Sequence, residues 1–127
     1  MLLQATGLTK SYARRGEKFF AANHVNLRVA AEDFICITGE SGSGKSTLRN
    51  MLAGLLKADC GEIAFDGKDL CSLGDAELAQ LRNGKIGYIP QGNSLLQNFS
   101  VLDNVCLPWY LTRKEDIKNT ARELLGK

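Results

Sequence analysis

Polar and apolar positions alternate through Val25, Leu27 and Val29, the period of two that sends every second side chain to one face of a strand. The opening stretch Leu2 to Leu8 and the run Phe34-Ile35-Cys36-Ile37 also read as strands. The second is apolar at every position, as a parallel strand buried on both faces would be. From Ser46 the period lengthens. Leu48, Met51, Leu52, Leu55 and Leu56 fall at the spacing of a helix that turns one stripe to a core. Glu62 to Phe65 then predicts a short strand, Asp66-Gly67 a turn, Asp75 to Arg82 a helix, and Lys85 to Ile89 a strand closed by Pro90. Ser100-x-x-Asp103 and Thr112-x-x-Glu115 each have the pattern of a capping box, in which a side-chain oxygen accepts from an otherwise unpaired amide at a helix start. A last helix carries Ile117, Ala121 and Leu124 and ends at Gly126.

This alternation of strands and helices is that of an α/β protein. No internal repeat, low-complexity tract or linker interrupts it, so the chain is expected to be one domain or part of one. Composition narrows the partners. Sixteen basic against 14 acidic residues leave a net charge of +2, too small a bias to draw nucleic acid or anionic lipid. The four cysteines, Cys36, Cys60, Cys71 and Cys106, form no C-x-x-C pair and have only His24 to assist them, so zinc-site spacing is absent and buried free thiols are expected. No apolar run approaches the ~20 residues of a membrane span, and no leader pattern opens the chain. The expectation is a cytoplasmic protein that reaches a membrane only through a partner.

The chemistry is concentrated in Gly39-Glu40-Ser41-Gly42-Ser43-Gly44-Lys45-Ser46, a complete G-x-x-x-x-G-K-[ST] motif with an apolar predicted strand before it and an amphipathic helix after it. Gly39, Gly42 and Gly44 allow backbone angles that turn the amides of the loop, those of Ser41 and Ser43 included, toward a phosphate at the positive end of the helix dipole. Lys45 adds a full charge for the β and γ phosphates, the Ser46 hydroxyl offers a ligand to Mg²⁺, and Thr47 adds a phosphate contact. ATP and Mg²⁺ are the expected cofactors.

Reading outward from that loop, the sequence resembles the ATP-binding subunits of ABC transporters, from Leu2 essentially to its end. Leu8-Thr9-Lys10-Ser11-Tyr12 places Tyr12 where that family has the aromatic residue that stacks on adenine, and His24-Val25-Asn26-Leu27 matches the strand before the loop. Ala53-Gly54-Leu55, Gly61-Glu62-Ile63 and Asp66-Gly67 match the segment leading into the family's small antiparallel sheet. Ile86-Gly87-Tyr88-Ile89-Pro90-Gln91 matches its Q-loop. The resemblance implies that Gln91 meets Mg²⁺ or its water and links the nucleotide site to the helical region facing a membrane subunit. A glutamine amide suits that role, since it both accepts and donates. Ser100-Val101-Leu102-Asp103-Asn104-Val105 and Leu107-Pro108 are similar to the subgroup serving macrolide-export, lipoprotein-release and cell-division type permeases.

The resemblance implies a P-loop NTPase core with a parallel sheet and a small antiparallel β subdomain over about residues 1–90, and the start of a helical region over about 91–127. All of it belongs to one ATP-binding domain (1–127), truncated before the Walker B half. The implied partners are an integral-membrane permease subunit, FtsX-like, and a second ATP-binding domain in a head-to-tail dimer of the complete protein, with the assembly peripheral at the inner face of the membrane. Within these residues there is no L-S-G-G-Q signature, no strand ending in Asp-Glu and no switch histidine. Glu62 to Asp66 has the look of a Walker B strand, but Gly67 stands where the base would be. Lys45 and Gln91 are thus the catalytic residues the chain offers. The complete domain is expected to be an ATPase, and this chain alone to bind nucleotide with almost no turnover. The alternative is a non-catalytic nucleotide-binding module or a degenerate gene product. A nucleotide kinase or GTPase is disfavoured by the absence of N-K-x-D and of an arginine-rich lid. Arg14, Arg15 and Lys18 are candidates to approach the nucleotide, and Leu95, Leu96, Trp109 and Tyr110 for a groove that takes a permease helix.

Overall fold

The computed structural model describes residues 1–112 and 117–126. Two long antiparallel strands, β1 (Leu3–Arg14) and β2 (Glu17–Val29), form a hairpin closed by Arg15 and Gly16, both at positive φ, the two-residue turn whose twist matches that of the strands. The hairpin is longer than the Leu2 to Leu8 pattern predicts. β3 (Cys60–Phe65) pairs with the other edge of β1, and β4 (Lys68–Asp69) pairs with β3, giving the sheet order β2-β1-β3-β4. The turn between β3 and β4 is Asp66-Gly67, as the sequence predicts. β4 leads into a single 3-10 turn, Leu70–Ser72, capped by the Asp69 carboxylate at the Cys71 amide.

Helix α1 (Lys45–Leu52) packs on β2, and its Met51 is fully buried with Leu8 of β1. Ala5, Ala22, Ile63, Phe65 and Leu70 complete the apolar core of this part of the chain. Helix α2 (Asp75–Lys85) is tied back by Arg82, which donates to the Gly54 carbonyl at 2.7 Å just past the end of α1. The stripe from Leu48 to Leu56 is therefore only partly helical. α1 stops at Leu52, Gly54 takes φ 67°, and Leu55 is left half exposed.

Two expected strands are not formed. Phe34 to Ile37 and Lys85 to Ile89 join no ladder among the described residues; Phe34 is 96% exposed and Ile89 85%. A strand is held by hydrogen bonds to a neighbour, not by its own composition, and neither segment has a ladder partner among the described strands.

By internal contacts the chain divides into Met1–Arg82 and Asn83–Lys127. In the second unit α3 (Val101–Thr112) packs against α4 (Lys118–Leu125), with Cys106 and Ala121 buried. Cys106 is the buried thiol that the sequence predicts, but Cys36, Cys60 and Cys71 are exposed, because none of them faces a packed element. The capping box expected at Ser100 is formed in part, since the Asp103 carboxylate meets the Ser100 hydroxyl rather than its amide. The Ser100 hydroxyl accepts from the Asp103 amide at 3.1 Å and donates to the Asp103 carboxylate at 2.7 Å. That bond and the one from the Tyr110 hydroxyl hold the Asp103 carboxyl below its usual range. Asn104 accepts from the Leu96 amide and donates to the carbonyls of Leu96, Phe99 and Ser100, which fastens the preceding loop to the helix. The second expected capping box, Thr112-x-x-Glu115, lies outside the described residues.

Candidate functional site

The loop from Gly39 to Gly44 leaves the chain at an exposed corner and delivers Lys45 as the first residue of α1. Its three glycines stand at φ 153°, 79° and 96°. Gly44 is the N-cap residue and has no side chain with which to cap the helix, so the first amides of α1 stay open to an outside acceptor. A Cβ on Gly44 would run into the Ala21 carbonyl of β2. The loop is seated directly on the hairpin, and only glycine permits the fit. At Gly42, by contrast, an added Cβ would meet nothing within 4 Å, which leaves that side of the loop open.

Lys45 turns its ammonium back into the loop. It donates to the Gly39 carbonyl at 2.8 Å, to the Glu40 carbonyl, and to the Ser43 hydroxyl at 3.2 Å. The charge is thereby held over the loop, with no acidic partner among the described residues. Ser46 is exposed and Thr47 half-buried on the first turn of the helix. Gly39, Ser41, Gly42, Ser43, Gly44, Lys45, Ser46 and Thr47 thus lie in one loop-and-turn unit, a shape and charge that suit a polyphosphate.

Tyr12 stands near the tip of the hairpin, 39% exposed. Phe19 faces it across the strands, with ring centroids 5.8 Å apart and planes tilted by 33°. The Lys10 ammonium lies 5.7 Å from the Tyr12 centroid and is bonded to Asp59 at 2.7 Å. Asp59 also accepts from the Ser11 amide and hydroxyl. The Lys10 bond and then the Ser11 amide hold its carboxyl down to about 2. Sequence reasoning singled out Tyr12 but not Phe19, Lys10 or Asp59. The Phe19 partnership was within reach, because a two-residue turn at Arg15-Gly16 fixes the register that sets 12 opposite 19. Arg14 and Arg15 are exposed at the hairpin tip, and Lys18 lies over the Phe20 ring at 5.3 Å. His24 donates its amide to the Thr9 hydroxyl, an intrasheet contact.

Gln91 is exposed and belongs to the second unit, 83–127. In that unit Leu95, Leu96, Phe99, Val101 and Val105 line a groove of about 390 Å³ beside Asn104. Leu95 and Leu96 were anticipated as groove residues; Trp109 and Tyr110, named with them, are not part of its lining. Tyr110 instead bonds Asp103 at 3.2 Å.

The ABC transporter family matches residues 22–127. The chain is 42% identical, over its whole length, to the lipoprotein-releasing system ATP-binding protein LolD of Buchnera aphidicola subsp. Schizaphis graminum. It is 38% identical, over 99% of its length, to the protein of the same description from Geobacter metallireducens. It spans about half the length of these curated relatives, 56% and 57%. Among solved structures, the dimeric post-hydrolysis ATP-binding cassette MJ0796 bound to ADP and Pi superposes with a TM-score of 0.88 at 32% identity, covering 98% of this chain and 56% of that one. A glycine loop seated on a hairpin, a lysine opening the helix, and a family match that starts within β2 and runs through α4 agree, and the chain belongs to the ABC transporter family.

Proposed function

We propose that this chain binds MgATP as the front portion of an ABC ATP-binding domain. The observation that carries the reading is the uncapped start of α1, with the Lys45 ammonium held over the loop by the Gly39 and Glu40 carbonyls. The residues present fit the nucleotide. A loop that rejects a Cβ at Gly44 yet is open at Gly42 leaves amides and a cation for phosphate oxygens. In this reading the amides of Gly39, Ser41, Gly42, Ser43 and Gly44 cradle the phosphates, that of Ser43 giving up the Glu40 carbonyl to which it donates at 3.2 Å. Lys45 neutralises the β and γ groups, Thr47 adds a phosphate contact, Ser46 ligates Mg²⁺, and Tyr12 carries the adenine. No cluster of acidic and imidazole side chains is found among the described residues. Mg²⁺ does not require one, since it is held mainly by phosphate oxygens and water. For Gln91, in the second unit, a role toward Mg²⁺ or its water rests on the Q-loop resemblance of Ile86 to Gln91. Bound ATP supplies a phosphoryl group whose transfer to water releases the energy for transport.

For the whole protein the reading is that of the LolD relatives, a lipoprotein-release ATPase subunit acting through a membrane permease with an FtsX-like fold. Two ATP-binding domains then close head to tail over nucleotide at the inner face of the membrane. No helix among the described residues is long and apolar enough to cross a membrane, which suits attachment through the permease. The groove at Leu95, Leu96 and Phe99 is the surface offered to that permease.

The test is MgATP affinity by calorimetry for the wild type and Lys45→Ala. Removing a charge paired with phosphate lowers affinity about 30-fold or more, and unchanged affinity would overturn nucleotide binding at this loop. Phosphate release by the purified chain, dependent on Lys45, would remove the non-catalytic reading.

A further inference from the structure

We propose that Phe19 is a positioning residue of the base subsite, holding Tyr12 in place and extending it into a two-ring platform that favours purines. This rests on the reading above, in which the loop holds the phosphates of a nucleotide and Tyr12 its base.

The argument begins with exposure. Tyr12 and Phe19 are 39% and 48% exposed, so the core makes no demand for two aromatic rings at the hairpin tip. They are nevertheless a directly opposed cross-strand pair. Their centroid separation of 5.8 Å lies inside the range in which rings attract one another. Lys10, fixed by Asp59, stands 5.7 Å from the Tyr12 ring. Tyr12 is therefore held by two neighbours, and Phe19 is the one that adds a second aromatic surface.

Location supplies the rest. Ala21, whose carbonyl abuts Gly44 of the phosphate loop, is two residues along β2 from Phe19. Two residues of extended strand cover about 7 Å, which puts the ring pair within a nucleotide's reach of the loop. A bicyclic purine covers both rings, whereas a single-ring pyrimidine covers one. Contact with Phe19 thus adds more to ATP than to CTP.

The experiment measures the affinities of MgATP, MgCTP and Mg-tripolyphosphate for the wild type, Tyr12→Ala, Phe19→Ala, Phe19→Tyr and the double alanine variant. Phe19→Ala is expected to weaken MgATP about threefold to tenfold, to narrow the ATP-to-CTP ratio, and to leave tripolyphosphate unchanged. Phe19→Tyr keeps the ring and restores wild-type behaviour. The double variant falls below Tyr12→Ala by less than the loss that Phe19→Ala causes alone, because part of the Phe19 effect runs through Tyr12. If Tyr12→Ala weakens MgATP and Phe19→Ala does not, the role of Phe19 is refuted while Tyr12 stays the base contact. If neither substitution matters, the base subsite itself is elsewhere. Equal weakening of MgATP and tripolyphosphate by Phe19→Ala would also overturn the proposal, since it would mean that the hairpin merely shapes the phosphate loop.

Discussion

Two short apolar stretches, Ile63 to Phe65 and Phe34 to Ile37, have similar strand character and opposite fates. The first lies in β3 between β1 and β4, and its Ile63 and Phe65 are almost fully buried. The second pairs with nothing among the described residues and leaves Phe34 96% exposed. What separates them is the position of their partners. The antiparallel sheet assembles from a hairpin and a segment that returns to its edge. A strand apolar on both faces needs neighbours on either side and cover above and below. The loop that follows keeps its shape all the same, because it leans on β2 through Gly44 rather than on the segment before it.

Substitutions can sharpen or break this contrast. Leu8→Ala, at a fully buried position of β1, should lower unfolding free energy by about 2–5 kcal/mol in a urea titration. Phe34→Ser should change it by less than about 0.5 kcal/mol; a comparable loss at Phe34 would mean that this stretch is paired in solution. Gly44→Ala combines φ 96° with a collision against the Ala21 carbonyl and should destabilise by about 2–4 kcal/mol. Gly42→Ala keeps only the unfavourable φ and should stay near 1 kcal/mol. Equal effects at the two glycines would separate the loop from the hairpin. The last effect concerns Asp59. Its carboxyl titrates lower in the folded chain, at about 2, than its ordinary 3.8. The stability it contributes is therefore present above pH ~4 and is lost as pH falls toward 2. Asp59→Asn should flatten that part of the acid-unfolding curve, and an unaltered curve would show the Lys10 bridge to be without thermodynamic weight.

The sequence made the phosphate loop legible because every requirement there is local: glycine at each strained angle, lysine at the helix start, serine beside it. The Asp66-Gly67 turn and the Ser100 cap were legible for the same reason. The expected strands at Phe34 to Ile37 and Lys85 to Ile89 failed because a ladder is a property of two segments, and the apolar pattern describes only one. The Leu48 to Leu56 stripe overran α1 because Gly54 ends the helix within an apolar period. Phe19 escaped notice because its importance arises only in register with Tyr12. Ala21 escaped because its carbonyl, not its side chain, meets Gly44.

The ammonium of Lys45 already donates to two carbonyls and a hydroxyl of its own loop. On the proposed reading, capture of a polyphosphate is therefore an exchange of acceptors more than a gain of bonds. A calorimeter records only the difference between the old set and the new, so the heat at this lysine will understate the strength of its grip on phosphate. Lys45→Ala deletes both sets together, and its change in binding enthalpy is therefore expected to be smaller than its change in affinity would suggest.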